Sequence, residues 1–161
     1  MGNELTARDE ELLRASFEAA LRAAAAGNNP FGAILADQDG KLLLEAENTV
    51  VTENDITGHA ETNLVRMVQS ESYGPDLHSF TLYASSEPCA MCAGAIYWGN
   101  IGRVVYGLSQ ERFYSILGGS REQEALALHI RDVLDRGGRP TEVIGPSLED
   151  EAARVHAGTW P

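Results

Sequence analysis

The chain is poor in lysine, in cysteine and in long apolar segments. Among its 161 residues Lys41 is the single lysine. The chain has 12 lysines and arginines in total against 24 aspartates and glutamates, which gives a net charge of −12. A protein that binds an extended phosphate backbone or an anionic membrane needs clustered basic residues, so this balance disfavours both partners. The two cysteines, Cys89 and Cys92, are too few to staple a domain of this length.

Targeting and membrane signals are equally scarce. No apolar run approaches the roughly 18 residues of a membrane span, and the start Met1-Gly2-Asn3-Glu4 carries an acid where a signal peptide carries basic residues. We therefore expect a cytoplasmic protein with no membrane contact. The length and the ordinary globular composition, with 43% hydrophobic and 22% charged residues, predict a single domain over residues 1–161.

Hydrophobic periodicity predicts a mixed α/β protein. Thr6 and Asp9 have the spacing of a capping box and begin a helix that ends at Gly27. Two strands joined by a hairpin, and then strands that alternate with helices, predict a five-stranded mixed sheet with helices on both faces, a three-layer α/β/α sandwich. The strands are predicted over 33–36, 42–46, 80–84, 104–106 and 142–144, and further helices over 59–70, 88–98, 122–134 and 148–156.

The two cysteines have the spacing of a metal-binding pair. Cys89 and Cys92 lie at positions i and i+3, where both sulfur atoms of a helix can face one point. Pro88 suits the first turn of a helix, whose dipole favours the thiolate form of Cys89. His59 offers the neutral imidazole that zinc also accepts. Three protein ligands leave the fourth zinc position for water, as in a catalytic site.

Two other interpretations of the cysteine pair remain open at this stage. A redox pair is possible, although the thioredoxin-like context of such pairs normally has an aromatic-Gly-Pro type insert that is missing here. A structural zinc site needs a fourth ligand, and the sequence has no second Cys-x-x-Cys pair. The remaining candidates for that ligand are His78, His129 and His156.

A longer pattern surrounds these residues. His59-Ala60-Glu61 is followed by Pro88-Cys89-Ala90-Met91-Cys92, which matches the H-x-E…P-C-x-x-C signature of zinc-dependent nucleobase deaminases. Over residues 10–110 the chain resembles the cytidine-deaminase-like superfamily. Within it, the resemblance is to the branch that contains guanine deaminase, fungal-type cytosine deaminase and the bacterial tRNA adenosine deaminase.

The resemblance implies one Zn²⁺ per chain, held by His59, Cys89 and Cys92. Zinc lowers the pKa of bound water toward about 7, and the resulting hydroxide attacks the amino-bearing ring carbon of the base. Glu61 is the expected proton shuttle, which takes the proton of the water and delivers protons to a ring nitrogen and to the leaving amine.

The resemblance also indicates residues that contact the substrate. Asn48 resembles the base-reading Asn of the family, and Phe31 corresponds to the Phe that stacks on the ring in guanine deaminases. The main-chain N–H of Ala60 is expected to face the base. Trp98 is a candidate for the pocket wall and Trp160 for a lid.

The choice of substrate depends on features outside the common motif. The tRNA branch typically has an arginine-rich tail, whereas residues 149–161 contain three acids and one arginine, which disfavours tRNA. Phe31 and the pair Tyr97-Trp98 favour guanine. Guanine deaminases place an acid shortly after the fourth strand; Arg112 stands at the matching position here, and its neighbour Glu111 is the candidate substitute.

We therefore expect a zinc-dependent hydrolytic deaminase of a free nucleobase. Guanine, which would yield xanthine and ammonia, ranks first, followed by cytosine or a related amino-heterocycle and then by tRNA adenosine. A non-catalytic zinc scaffold ranks last. The resemblance further implies a homodimer.

Overall fold

The first helix begins where the sequence predicts it. In the computed structural model, which describes residues 4–71, 75–118 and 124–160, helix α1 spans Ala7–Ala25. Thr6 Oγ1 accepts a hydrogen bond from the Asp9 N–H, and the Asp9 carboxylate accepts one from the Thr6 N–H. This capping box satisfies backbone donors that the first turn of a helix leaves unpaired.

Five strands form one mixed sheet. They are β1 (Gly32–Ala36), β2 (Leu42–Glu47), β3 (Thr81–Ser86), β4 (Arg103–Leu108) and β5 (Glu142–Ile144). The order across the sheet is β2-β1-β3-β4-β5. Strand β1 runs antiparallel to β2 and β3, whereas β3, β4 and β5 are parallel to one another.

The other helices are short. They are α2 (Ala60–Glu71), α3 (Ala90–Trp98), α4 (Gln110–Ile116), α5 (Ile130–Leu134) and α6 (Glu149–Arg154), and a 3₁₀ helix spans Pro75–Ser79. Within the described ranges, no helix combines the length and the apolar character needed to cross a membrane.

Helices cover both faces of the sheet because successive strand residues point to opposite sides. Leu35, Leu82 and Val104 belong to the core under α2, α3 and α5. Ile34 and Val105, their neighbours along the strands, belong to the core under α1 and α6. The predicted three-layer α/β/α arrangement is confirmed.

Two helices differ from the sequence prediction. In place of the helix expected over 122–134, the described residues contain only Ile130–Leu134, and residues 122–123 lie outside the described part. Helix α4 was not expected. It begins after Ser109, whose side chain accepts a hydrogen bond from the Arg112 N–H, and it contains no buried residue, so its sequence lacks the apolar stripe that reveals a helix.

The turn of the β1–β2 hairpin lies at the end of the sheet where β3 and β4 begin, opposite to the end where they finish. Asp37 Oδ1 accepts a hydrogen bond from the Lys41 N–H, and Gly40 adopts a left-handed conformation with φ of +77°. Ala36 at the end of β1 is paired with Thr81 at the start of β3. The hairpin turn therefore lies beside the start of β3 and not beside its end.

A buried ion pair joins α1 to the sheet. The Asp9 side chain is 7% exposed, and its carboxylate lies 2.8 Å from the Arg103 guanidinium. The same carboxylate accepts a hydrogen bond of 2.7 Å from the Tyr83 hydroxyl. Burial raises the pKa of Asp9, but the hydrogen bonds from Arg103 and Tyr83 outweigh burial and hold the pKa well below its ordinary value.

We expect Asp9→Asn to lower the free energy of unfolding at neutral pH by about 1.5–3 kcal/mol, because hydrogen bonds to a charged group are lost. Since the pKa of Asp9 is lower in the folded than in the unfolded chain, its contribution is complete above about pH 4 and declines as the pH falls further. Denaturant unfolding of the parent and Asp9→Asn across this range measures both effects.

Glu10→Gln is the matched control, because Glu10 forms only an exposed ion pair with Arg14 on the same helix. Its free energy of unfolding should change by less than about 1 kcal/mol. Equal stability of Asp9→Asn and the parent at neutral pH would contradict the assigned role of Asp9.

Candidate active site

A cavity of about 210 Å³ opens at the carboxyl ends of β3 and β4. Ser86 and Leu108, the last residues of the two strands, are paired in parallel register, so the segments that follow them leave the sheet at the same edge. In open α/β sheets this is the edge at which ligands bind. The residues that line the cavity are Phe31, His59, Glu61, Ser86, Glu87, Cys89, Leu108, Ser109, Gln110, Phe113 and Tyr114.

Three predicted ligands converge beside the cavity. His59 Nδ1 lies 3.6 Å from Cys89 Sγ and 3.5 Å from Cys92 Sγ. A tetrahedral zinc ion with ordinary bond lengths holds its nitrogen and sulfur ligands about 3.6 Å apart. Two sulfur donors and one imidazole also form a set that prefers zinc to hard cations. The spacing and the chemistry of these donors therefore fit Zn²⁺.

Local structure explains the state of the two thiols. Cys89 is the N-cap residue of α3, and Cys92 lies in the first turn of this helix. The hydrogen bonds from Cys92 and His59 lower the pKa of Cys89 to about 4. The hydrogen bond to Cys89, together with burial, raises the pKa of Cys92. Cysteine binds zinc as the thiolate, so a metal ion held by this pair would displace thiol protons.

Glu61 lies next to this donor set without belonging to it. It is the second residue of α2, its side chain is buried, and its Oε2 lies 3.5 Å from Cys92 Sγ. Burial raises the pKa of Glu61 to about 7. A carboxyl group with such a pKa can both accept and release a proton near neutral pH.

An aromatic cluster bounds the other side of the cavity. The rings of Phe31 and Phe113 meet edge to face with centroids 5.5 Å apart, and Trp160 contacts Phe31 at 5.9 Å. Trp160 Nε1 donates a hydrogen bond to His156 Nδ1, and burial lowers the pKa of His156 to about 4, which keeps this imidazole neutral. The C-terminal segment therefore reaches the cavity wall through its aromatic side chains.

The predicted substrate residues are placed at different distances from the cavity. Phe31 lines it, and Trp160 packs against the ring of Phe31. Asn48 is buried, and its Oδ1 accepts a hydrogen bond of 3.1 Å from the Val50 N–H. Ala60 is buried at the start of α2. Neither Asn48 nor Ala60 is among the lining residues.

Trp98 and Glu111 lie outside the cavity. Trp98 is 79% exposed at the end of α3. The Glu111 side chain is 70% exposed and lies 3.1 Å from His129 Nε2. Its neighbour Arg112 forms an ion pair of 2.7 Å with Asp150. The position after β4 thus supplies no carboxylate to the cavity lining.

Sequence reasoning missed Glu87, which organises one wall of the cavity. Its side chain is 4% exposed, and one carboxylate oxygen accepts a hydrogen bond of 3.0 Å from the Gln110 N–H at the start of α4. The other oxygen accepts one of 3.2 Å from the Ile130 N–H and lies 2.9 Å from His129 Nδ1. Helix α4 in turn contributes three lining residues that were not predicted, namely Gln110, Phe113 and Tyr114.

Comparison with known proteins identifies the family. The sequence profile described as the cytidine and deoxycytidylate deaminase zinc-binding region matches residues 6–108. The chain belongs to this family. The deaminase is therefore an enzyme of the zinc-binding, C–N-hydrolysing type, and its His-Cys-Cys donor set is able to hold the metal.

Relatives of the deaminase are named for activities on different bases. A probable cytosine deaminase of Schizosaccharomyces pombe is 40% identical over 157 residues, which are 98% of this chain and 95% of that protein. The guanine deaminase of Bacillus subtilis is 43% identical over 77 residues, 48% of this chain and 49% of that protein. The tRNA-specific adenosine deaminase of Haemophilus influenzae is 38% identical over 113 residues, 70% of this chain and 64% of that protein.

A solved structure supports the fold of the deaminase. The guanine deaminase from Nitrosomonas europaea superposes with a TM-score of 0.80 at 22% identity, covering 97% of this chain and 86% of that one. At this identity the likeness concerns the fold alone.

We expect Cys89→Ala to lose bound zinc, because two remaining ligands rarely hold this ion tightly. Metal analysis after dialysis should find close to one zinc per chain in the zinc-loaded parent and a small fraction of that in the variant. Glu61→Ala, which removes a neighbouring group outside the donor set, should keep its zinc. Full zinc occupancy in Cys89→Ala would refute the proposed ligands.

We expect Glu87→Gln to weaken substrate binding, because its amide cannot replace both carboxylate oxygens as acceptors for Gln110 and Ile130. The KM for the substrate should rise about tenfold, which corresponds to one hydrogen bond to a charged group, while zinc content stays unchanged. Asp132→Asn is the control, since Asp132 is an exposed acid of α5 outside the cavity lining. An equal KM for Glu87→Gln and the parent would show that the wall does not depend on Glu87.

Proposed function

We propose that this deaminase hydrolyses the amino group of a free nucleobase, with cytosine as the first candidate. The observation that carries the proposal is the buried Glu61 carboxyl group beside the His-Cys-Cys donor set, inside a small cavity with aromatic walls. The cavity volume of about 210 Å³ is below the roughly 300–1,000 Å³ of pockets for drug-sized ligands, which favours a single heterocycle.

The choice of cytosine is supported by the C-terminal third of the chain. The relationship to the S. pombe protein covers 98% of this chain and so includes most of residues 109–161, which lie beyond the family profile. These residues supply α4, Phe113 and Trp160 to the surroundings of the cavity. The part of the chain that shapes the wall is therefore shared with a probable cytosine deaminase.

The proposed reaction converts cytosine and water to uracil and ammonia. His59, Cys89 and Cys92 would hold the zinc ion, which when bound supplies a water molecule activated at neutral pH. Glu61 accepts a proton from this water and delivers it to N3 of cytosine, while the water oxygen forms a bond to C4. Glu61 then transfers the remaining proton of that oxygen to the amino group, and the C4–N bond breaks to give uracil and ammonia.

The aromatic side chains are proposed to hold the flat base. Phe31 and Phe113 present apolar ring surface to the cavity, and the ring of Trp160 packs against both. Asn48 and the Ala60 N–H are still proposed to form hydrogen bonds with the edge of the base. No such role is proposed for Glu111, because its side chain lies beside His129.

A homodimer, expected from the resemblance, is also a proposal. Trp98 and Met91 leave apolar surface on α3 that is 79% and 39% exposed, and contact with a second copy would cover it. Trp98 is therefore proposed for this contact in preference to the substrate.

Guanine is the second candidate substrate. It is favoured by the 43% identity to the B. subtilis guanine deaminase, although this similarity covers 48% of the chain. Since the acid next to Arg112 does not line the cavity, the order of the two bases is the reverse of the expectation from sequence. Transfer RNA ranks third, because a net charge of −12 opposes binding of a polyanion.

The test is ammonia release by the zinc-loaded protein from cytosine, guanine, adenine, cytidine, guanosine and an anticodon stem-loop. We expect turnover of free cytosine and little turnover of cytidine, whose ribose exceeds the small cavity. Ammonia from guanine alone would select the second candidate. Activity on the stem-loop alone would overturn the proposal of a free base.

Glu61→Ala is the matched control for this assay. It should bind zinc like the parent and lose turnover by about 10²–10⁴-fold, the usual effect of removing a general acid–base group. Activity above a few per cent of the parent would contradict the role of Glu61 as the proton shuttle.

A further inference from the structure

We propose that the hydroxyl group of Ser86 determines substrate specificity by forming a hydrogen bond to the polar edge of the bound base. This inference rests on the proposed function and deepens it, because it assigns a polar partner for the base. The expected ligand is a neutral heterocycle with an in-plane carbonyl or ring nitrogen.

The first argument is an unsatisfied hydroxyl. Ser86 lines the cavity and is 6% exposed. Its Oγ is buried and, among the described residues, has no hydrogen-bond partner. Folded proteins rarely retain a buried polar atom in this state, and such exceptions call for an explanation. A ligand in the adjoining cavity explains this one.

The second argument is that three polar groups of the lining beside Ser86 are already engaged. Ser109 Oγ accepts the capping hydrogen bond of α4 and also bonds to Glu149. The Glu87 carboxylate accepts hydrogen bonds from two backbone N–H groups, and Gln110 Nε2 donates one to the Leu126 carbonyl. In the described part of the lining, Ser86 is therefore a buried hydroxyl with its bonding capacity unused.

The third argument concerns position and chemistry. Ser86 ends β3 three residues before Cys89, so it lies at the same strand end as the donor set. A serine hydroxyl turns about a single bond and can both donate and accept. It can therefore turn toward a base that presents either a carbonyl group or a protonated ring nitrogen, while the aromatic residues contact the ring faces.

Ser85 offers a matched control. It is the preceding residue of β3, it is also buried, and its Oγ accepts a hydrogen bond of 3.1 Å from the Gly32 N–H. Ser85 does not line the cavity. The two serines thus differ in the partner of their hydroxyl groups: a backbone N–H for Ser85, and the proposed ligand for Ser86.

The experiment measures base binding without turnover. Cytosine is titrated by calorimetry into zinc-loaded Glu61→Gln protein that carries Ser86, Ser86→Ala or Ser85→Ala, and the folding equilibrium constant of each protein is measured by denaturant unfolding. We expect Ser86→Ala to weaken cytosine binding about tenfold, the worth of one hydrogen bond, with no loss of stability. Ser85→Ala should lower the folding constant about tenfold and leave the affinity unchanged.

Two results would overturn the inference in distinguishable ways. If Ser86→Ala binds cytosine as tightly as the parent, the hydroxyl does not contact the base, whatever happens to stability, and the proposed function is unaffected. If the zinc-loaded parent releases ammonia from neither cytosine nor guanine, the proposed function fails and this inference fails with it.

Discussion

The parallel pairing of β3 and β4 decides where the chemical groups of this deaminase lie. Because Ser86 and Leu108 end the two strands in register, the segments leading to α3 and α4 start side by side. The Glu87 carboxylate then bonds to the first N–H group of α4, so the helix with the cysteines and the helix with the aromatic wall are fixed to each other. Helix α2 packs against α3 and brings His59 to the same place. One register of two strands therefore helps to bring His59 and Tyr114, which are 55 positions apart in the sequence, to one cavity.

The features that could be predicted from the sequence are those that depend on residues close together in the chain. The capping box at Thr6 and Asp9 depends on three consecutive peptide units, and the strands depend on runs of apolar residues. The Cys89–Cys92 pair is readable because helix geometry relates the two sulfur atoms directly. Glu87 was not readable, because its partners are 23 and 43 residues away and its carboxylate would suit a solvent-exposed position equally well. The same applies to α4, which has no buried residue and is held by the Ser109 cap, by the Glu87 carboxylate and by the ring contacts of Phe113.

Stabilising and reactive groups are separated within the sheet. Arg103 begins β4 and forms the buried ion pair with Asp9, whereas the groups proposed for catalysis lie near the ends of β3 and β4. Beside the cavity the chain buries a carboxyl group with a raised pKa and a hydroxyl that has no partner among the residues the structure describes, and both cost folding free energy. Ion pairing and dense packing elsewhere offset this cost. Such a division allows the cavity to hold groups that are selected for their chemistry while the fold stays intact.

The position of Lys41 has a practical consequence. It is the one lysine of the chain, it is exposed, and it lies in the β1–β2 turn at the far edge of the sheet from the cavity. An amine-reactive fluorophore or biotin attached to this side chain would sit away from the substrate entrance. Molecules of the enzyme that are immobilised through Lys41 would have their cavity facing the solution.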